Sequence, residues 1–238
     1  MNSDLGLEVV LQQLRESRCC IVLDIDETLL NPLPLYHRDV NAGMNLTLTV
    51  QEIEEAGGLD GVFKDHLRCQ EFRHIADRLR SDEVFNSDVP LIEGAVSGVS
   101  ELQRLPGSVI GAYLTTRPAC VTRVTEVDLK AKGFPSAPVL ARPEGIFRES
   151  TVSWKLSILR EINSRFQGTL LMIDDSPALA KAIREANQSL RKAIVAILFN
   201  GPLTYTTVKR EGLVSFPSEH FYVAEWESIP KICEAYSR

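Results

Sequence analysis

Asp24 and Asp26 stand one residue apart at the end of the apolar run CCIVLDI (19–25), and Thr28 follows within two positions. A second acidic pair, Asp174 and Asp175, closes the apolar run TLLMID (169–174) and is followed by Ser176. A third run, SVIGAYLT (108–115), ends in Thr115 and leads into Thr116 and Arg117, while Lys155 lies in the polar-apolar stretch just before the run at 169. Four carboxylates gathered at one place raise each other's pKa values. A divalent cation relieves that repulsion. Oxygen-only ligands suit a hard ion such as Mg2+, which takes one or two carboxylates together with substrate phosphate and water. Lys155 adds one positive charge for a phosphoryl oxygen, and Thr115 adds a hydroxyl donor. A carboxylate not consumed by the metal can attack phosphorus and form an acyl phosphate. Another can carry the leaving-group proton. Together these are the parts of phosphoryl transfer through an aspartyl-phosphate.

Those side chains must be brought together by the elements that carry them. The three runs, with KAIVAILF (192–199) and the shorter APVLAR (137–142), are apolar without clean alternation. That pattern predicts parallel strands covered on both faces. Helical patterns over 93–105, 118–133, 152–166 and 176–190 separate them, the second with Pro118 at its opening and Gly133 at its close. Ser176 is placed to cap the helix that begins near Pro177. Alternating strands and helices predict a doubly wound, mostly parallel α/β sheet with a Rossmann-like core. Ligands of such sheets bind outside the carboxyl ends of the strands, which is where the acids fall.

Residues 32–90 break the alternation. TVQEIEEAGG reads as a short helix ending at Gly57-Gly58, and FKDHLRCQEFRHIADRLR as a longer amphipathic one with Phe63, Leu67, Phe72, Ile75 and Leu79 at helical spacing. The expected organisation is a core domain of 1–31 and 91–238 with a helical cap subdomain at 32–90 over the strand ends. His37, Arg38, Arg73 and His74 of this segment read as surface residues rather than ligands. Residues 200–238 predict a closing strand and helix and carry no further motif.

The 238 residues suffice for one large domain or a core with a small insert. A net charge of −6 gives no bulk basic field, which argues against a general nucleic-acid binder or an anionic-lipid binder. The five cysteines show no zinc spacing and read as reduced thiols of a cytoplasmic protein, with Cys19 and Cys20 on opposite faces of a strand. The N-terminal stretch lacks the pattern of a signal peptide, and no apolar run approaches a membrane span, so no membrane partner is expected. Oligomeric state is not fixed by these features.

The four motifs, in order, resemble those of the haloacid dehalogenase-like (HAD) hydrolases, chiefly phosphatases. DIDET (24–28) resembles the family's DxDxT, YLTTRP (113–118) its second motif, Lys155 in VSWKLSIL its third, and LLMIDDSP (170–177) its acidic fourth. The resemblance implies Asp24 as nucleophile and Asp26 as general acid and then base, with the backbone carbonyl of Asp26 on the metal. It implies that Thr115 and Lys155 hold the phosphoryl oxygens, with Thr116 and Arg117 beside them; for Arg117 a salt bridge is the equal alternative. Asp174 would ligate Mg2+, and Asp175 would do so directly or through water. Thr28 would support the loop and Asp26 by hydrogen bonding. Two departures concern substrate rather than chemistry: Glu27 stands where many members have Gly, and Thr116 where many have a smaller residue. The insert after the first motif sits where the family places its helical C1 cap.

The implied activity is Mg2+-dependent hydrolysis of a phosphomonoester. A small phosphorylated substrate is expected, and a phosphorylated nucleic-acid end is less favoured given the charge. A phosphomutase or phosphotransferase would use the same residues but exclude water from the intermediate. A receiver-like phosphoryl-binding module is the non-enzymatic alternative, but there the acidic pair comes early and the phosphorylated Asp late, the reverse of this chain.

Overall fold

The computed structural model describes residues 3–56, 59–63, 66–146, 150–200 and 220–237. The chain opens with helix α1 (Ser3–Gln13) and enters strand β1 (Cys19–Leu23). Five helices follow: α2 (Leu33–Met44), α3 (Val50–Glu55), α4 (Leu59–Val62), α5 (His66–Arg80) and α6 (Glu83–Ser87). The alternating part then runs α7 (Ala95–Arg104), β2 (Ser108–Pro118), α8 (Thr122–Ala131), β3 (Val139–Arg142), α9 (Thr151–Arg165), β4 (Thr169–Asp174), α10 (Pro177–Asn187) and β5 (Val195–Phe199). It closes with β6 (Phe221–Ala224) and α11 (Ile229–Ser237).

Among the described residues, six strands form one sheet in the order β3-β2-β1-β4-β5-β6, and every pairing is parallel. Side chains of a strand alternate between faces, and two separate apolar cores result. Cys19, Ile21 and Leu23 of β1 join Tyr113, Ile173 and Ile197 on one face, under α7, α8 and α11. Cys20 and Val22 join Leu114, Met172 and Leu198 on the other, under α1, α9 and α10. β1 and β5 are buried at every residue, which is why both read as unbroken apolar runs. Cys19 and Cys20 accordingly lie in opposite cores, and all five cysteines are free.

Several local expectations are corrected. Pro118 does not open a helix. It is the last residue of β2, and a 3-10 turn at Ala119–Val121 precedes α8. Gly133 does end that helix, at φ 93°. α2 was not anticipated, because Pro32, Pro34 and Gly43 interrupt its pattern; the prolines are tolerated because they sit at its start, where no intrahelical N–H bond is lost. On α5, Phe72, Ile75 and Leu79 are buried, and Phe63 just before it stacks on Phe72 with ring centroids 5.5 Å apart, but Leu67 is 74% exposed. The expected stop at Gly57-Gly58 lies outside the described residues.

The two ends of the helical segment are tied together. Asn31 N donates to Pro90 O at 2.8 Å, and Ile92 N donates to Leu29 O at 2.9 Å. Chain exit and re-entry are therefore adjacent, just beyond the end of β1. Among the described residues, no helix is long and apolar enough to cross a membrane.

Candidate active site

From β1 the chain winds outward to β2 and β3, then returns to place β4 on the opposite side of β1. The gap between β1 and β4 is therefore a topological switch point, where loops diverge and leave a crevice at the strand ends. Asp24 follows the last residue of β1, and its N–H donates to Ile173 O of β4 at 2.9 Å. Asp174 is the last residue of β4, and Asp175 follows. Lys155, from the first turns of α9, lies between them. Its Nζ donates to Asp24 Oδ1 at 2.7 Å and to Asp174 Oδ2 at 2.8 Å. The second oxygen of Asp174 accepts from Ser176 N at 2.7 Å, and Ser176 Oγ in turn accepts from Leu179 N to cap α10. Oxygens of Asp24, Asp174 and Asp175 all lie within 4.8 Å of one another. They open onto a cleft of about 270 Å³.

Burial is the dominant influence on these charges. It pushes the Asp24 carboxyl up to about 7, the Lys155 ammonium pulls the other way, and Asp174 and Asp26 add repulsion. Asp175 is raised well above the usual carboxylate range, first by burial and then by Glu27, Asp174 and Asp24. Burial alone would lower Lys155, but its two carboxylate partners outweigh that and raise it. The lysine is firmly charged, yet it does not by itself hold Asp24 and Asp175 in the usual carboxylate range. Hard oxygen donors this close, with Asp24 and Asp175 held against ionisation by burial and repulsion, fit a divalent cation.

Asp26 is placed differently from its neighbours. Its carboxylate is directed at Arg117, whose Nη2 and Nε donate to Asp26 Oδ1 at 2.7 and 3.1 Å, with Nε also 3.0 Å from Oδ2. Arg117 thus forms the salt bridge rather than reaching into the cleft. It is 1% exposed, and its Nη1 is spent on Thr125 Oγ1 at 3.3 Å and Asn86 O at 3.5 Å. Thr115 is fully buried, with its hydroxyl accepting from Arg117 N, and Thr116 lines the cleft.

The support expected from Thr28 takes another form. Its Oγ1 is buried without a hydrogen-bond partner among the described residues. The Asp26 carboxylate is directed at Arg117 instead, and the Leu29 and Leu30 amides both donate to Ile25 O. It is the Thr28 carbonyl that ties the turn down, accepting from Trp226 Nε1 at 2.9 Å. Glu27, the departure from Gly, sits at φ 64°. That left-handed conformation costs a side-chain-bearing residue roughly 1–2 kcal/mol, which accounts for glycine's suitability there.

Sequence reasoning missed four contributors. Tyr36 of α2 and Arg80 of α5 bring the helical segment into the cleft lining, with the Arg80 guanidinium 5.8 Å from the centre of the Tyr36 ring. Arg142, at the end of β3, lines the same cleft. Trp226 packs on α7, where a Cβ at Gly98 would stand 2.5 Å from its ring, so only glycine admits it. None of the four sits in a recognisable motif, and their placement depends on tertiary packing alone. His37 and Arg38, by contrast, are engaged locally, with Leu48 O and with Asp39, and Arg73 and His74 are exposed.

No family model and no curated protein matches the sequence. Solved structures do match its fold. A candidate phosphatase from Clostridium difficile aligns with a TM-score of 0.60 at 14% identity, over 90% of this chain and 97% of that one. A HAD family hydrolase from Deinococcus radiodurans, solved with bound phosphate and sodium, aligns at 0.55 and 16%, over 91% and 95%. A candidate haloacid dehalogenase-like hydrolase from Burkholderia xenovorans aligns at 0.51 and 14%, over 92% and 98%. The fold is that of the HAD-like hydrolases.

Proposed function

We propose that this protein is a Mg2+-dependent phosphatase that hydrolyses a small phosphomonoester through an aspartyl-phosphate on Asp24. The observation that carries the reading is the bridge of Lys155 between Asp24 and Asp174, with Asp175 in the same oxygen cluster. Asp24, Asp174, Asp175 and the backbone carbonyl of Asp26 would hold the ion, which when bound supplies the positive charge that keeps the carboxylates ionised and neutralises phosphoryl oxygens. Asp24 attacks phosphorus as its carboxylate; the new bond is Oδ–P and the ester P–O bond breaks. Asp26 turns from Arg117, takes up a proton from solvent and gives it to the departing alkoxide. It then takes a proton from the water that attacks the acyl phosphate, which frees inorganic phosphate and restores Asp24. Lys155 and Thr116 hold the phosphoryl oxygens; Thr116 takes the part expected of Thr115, whose fully buried hydroxyl accepts from Arg117 N and fixes the strand end behind them.

The 32–90 segment acts as a cap subdomain over a core of 1–31 and 91–238. The paired backbone at its two ends and the reach of Tyr36 and Arg80 into the cleft support that division. A lid there excludes water while the ester is cleaved. The reading places the enzyme in the cytoplasm, in keeping with five free thiols.

The test is release of inorganic phosphate from an aryl phosphate with added Mg2+ and again after exhaustive chelation. Phosphate release that needs Mg2+ is expected. Full activity in the chelated protein, or transfer of phosphate only to a second organic acceptor, would reject the reading.

A further inference from the structure

Among the described residues, each cation near the catalytic carboxylates has a protein partner except one. Lys155 is held by Asp24 and Asp174, Arg117 by Asp26, and Arg80 by Asp77 at 3.6 Å and the Tyr36 ring. Arg142 is half-buried and lines the cleft, and among the described residues its side chain has no hydrogen-bonding or ionic partner. A guanidinium taken partly out of water without an anion is costly, and a ligand anion removes that cost.

Its position separates it from the phosphoryl site. The oxygen cluster and Lys155 lie between β1 and β4, whereas Arg142 ends β3, two strands away on the other side of β1. At the usual strand spacing that is roughly 10 Å across the sheet. It also stands further along the strand direction, since Arg142 pairs with Pro118 at the end of β2, while Leu23, just before Asp24, pairs with Tyr113. Thr116 lies between the two places on the cleft wall. A phosphoryl group seated on Asp24 is too far away to be shared, but the organic part of a short phosphate ester spans the gap.

Resting on the phosphatase reading, we propose that the substrate carries a second anionic group, a carboxylate or a phosphate about three carbons from the ester oxygen, and that Arg142 binds it. The guanidinium fork matches either group bidentately. The small cleft, about 270 Å³, limits the body that joins the two ends to a short chain or a single ring.

The experiment compares n-propyl phosphate with its 3-carboxylate and 3-phosphate analogues, with Mg2+ present. The unmodified protein should prefer one of the doubly anionic esters by about ten- to hundred-fold in kcat/KM, the size of a charge-assisted hydrogen-bonded contact. The carboxylate and phosphate arms tell the two sources apart. Arg142→Ala should bring that preference close to one, and Arg142→Lys should keep part of it. A measurement that needs no variant supports the kinetics: the phosphonate that matches the preferred ester, 3-carboxypropylphosphonate or propane-1,3-bisphosphonate, should bind the unmodified protein at least several-fold more tightly than propylphosphonate. Turnover of all three esters with no preference, equal affinity for the matching phosphonate and propylphosphonate, or an equal loss on all esters in Arg142→Ala overturns the second-anion site and leaves the phosphatase reading standing. Absence of phosphate release from every ester overturns both.

Discussion

The parallel sheet and the helical segment between β1 and α7 meet at the same cleft but are built on different terms. The strands that carry Asp24 and Asp174 are flanked on both sides by other strands and covered on both faces, so their ends are fixed by the whole core. The helical segment consists largely of short pieces. α3, α4 and α6 have six, four and five residues, and the one long charged helix, α5, leaves Leu67 in water. It touches the cleft chiefly through Tyr36 and Arg80. Groups that must meet a reacting phosphorus to within a fraction of an ångström belong on the rigid part. Groups that choose among substrates need less exact placement and can come from either part, Tyr36 and Arg80 from the helical segment and Arg142 from the end of β3.

The sharpest way to break that division is at Asp24, the proposed nucleophile. Asp24→Asn should lower turnover at least about 10⁴-fold on every phosphate ester, because no other group replaces the attacking oxygen. Incubation with an activated aryl phosphate should leave no hydroxylamine-labile label on the variant. Label on Asp24→Asn would move the nucleophile elsewhere.

Asp26→Asn should fail differently, since it keeps the nucleophile and loses the proton carrier. General acid-base help is typically worth about 10²- to 10⁴-fold. The loss should be large for an alkyl phosphate and smaller for an aryl phosphate, whose leaving group needs little protonation. Labelled phosphoenzyme should accumulate, because its hydrolysis needs the same residue as base. A uniform loss across leaving groups with no trapped label would remove Asp26 from proton transfer and leave it as a structural partner of Arg117.

A third consequence concerns stability. Burial raises the folded-state pKa of Asp24 from 3.8 to about 7, and Asp175 moves in the same direction. The folded, metal-free protein therefore holds protons that the unfolded chain releases near pH 4. Its stability should be greatest below that pH as far as these groups are concerned, and should fall as pH rises from about 4 to about 7. At roughly 1.4 kcal/mol per pKa unit, the loss is up to a few kcal/mol. Lys155, raised above its ordinary value, contributes in the alkaline range and leaves this window unaffected. Denaturant titrations across the window should show a slope that Mg2+ flattens and Asp24→Asn reduces. A metal-free protein equally stable at pH 4.5 and 7 would mean the carboxylates are compensated within the protein itself.

The same contrast explains what could be read before the fold was known. Strands covered on both faces leave long apolar runs, so β1, β2, β4 and β5 stand out in the sequence, and the acids that end them are conspicuous because they interrupt those runs. Lys155 has no such local mark. It is legible only from its order among the other motifs. The Arg117–Asp26 pair joins residues 91 positions apart, and Arg117 offered substrate contact and salt bridge equally until the fold placed it. α2 was hidden by its own prolines, and the periodicity of α5 assigned Leu67 to a buried face that the packing does not use. Tyr36, Arg80, Arg142 and Trp226 belong to the site by packing alone, and no spacing along the chain announces them.

The smallest effect separates the resemblance from the geometry at one atom. If Thr28 supported Asp26 by a side-chain hydrogen bond, removing the hydroxyl would cost about 1 kcal/mol and disturb the catalytic turn. In the structure Thr28 is fully buried, its Oγ1 has no partner among the described residues, and the turn is held through its carbonyl by Trp226. A buried hydroxyl with no partner is a net cost, so its replacement by a methyl group of similar size should be neutral or stabilising by up to about 1 kcal/mol. Thr28→Val keeps the branched shape and the backbone bond to Trp226. Thermal or denaturant unfolding should place it at or slightly above the unmodified protein, whereas Trp226→Phe, which strands the Thr28 carbonyl in a buried site, should fall below it by roughly 1–3 kcal/mol. The reverse order would show that the hydroxyl finds a partner in solution after all, and that the turn depends on the side chain rather than on the indole.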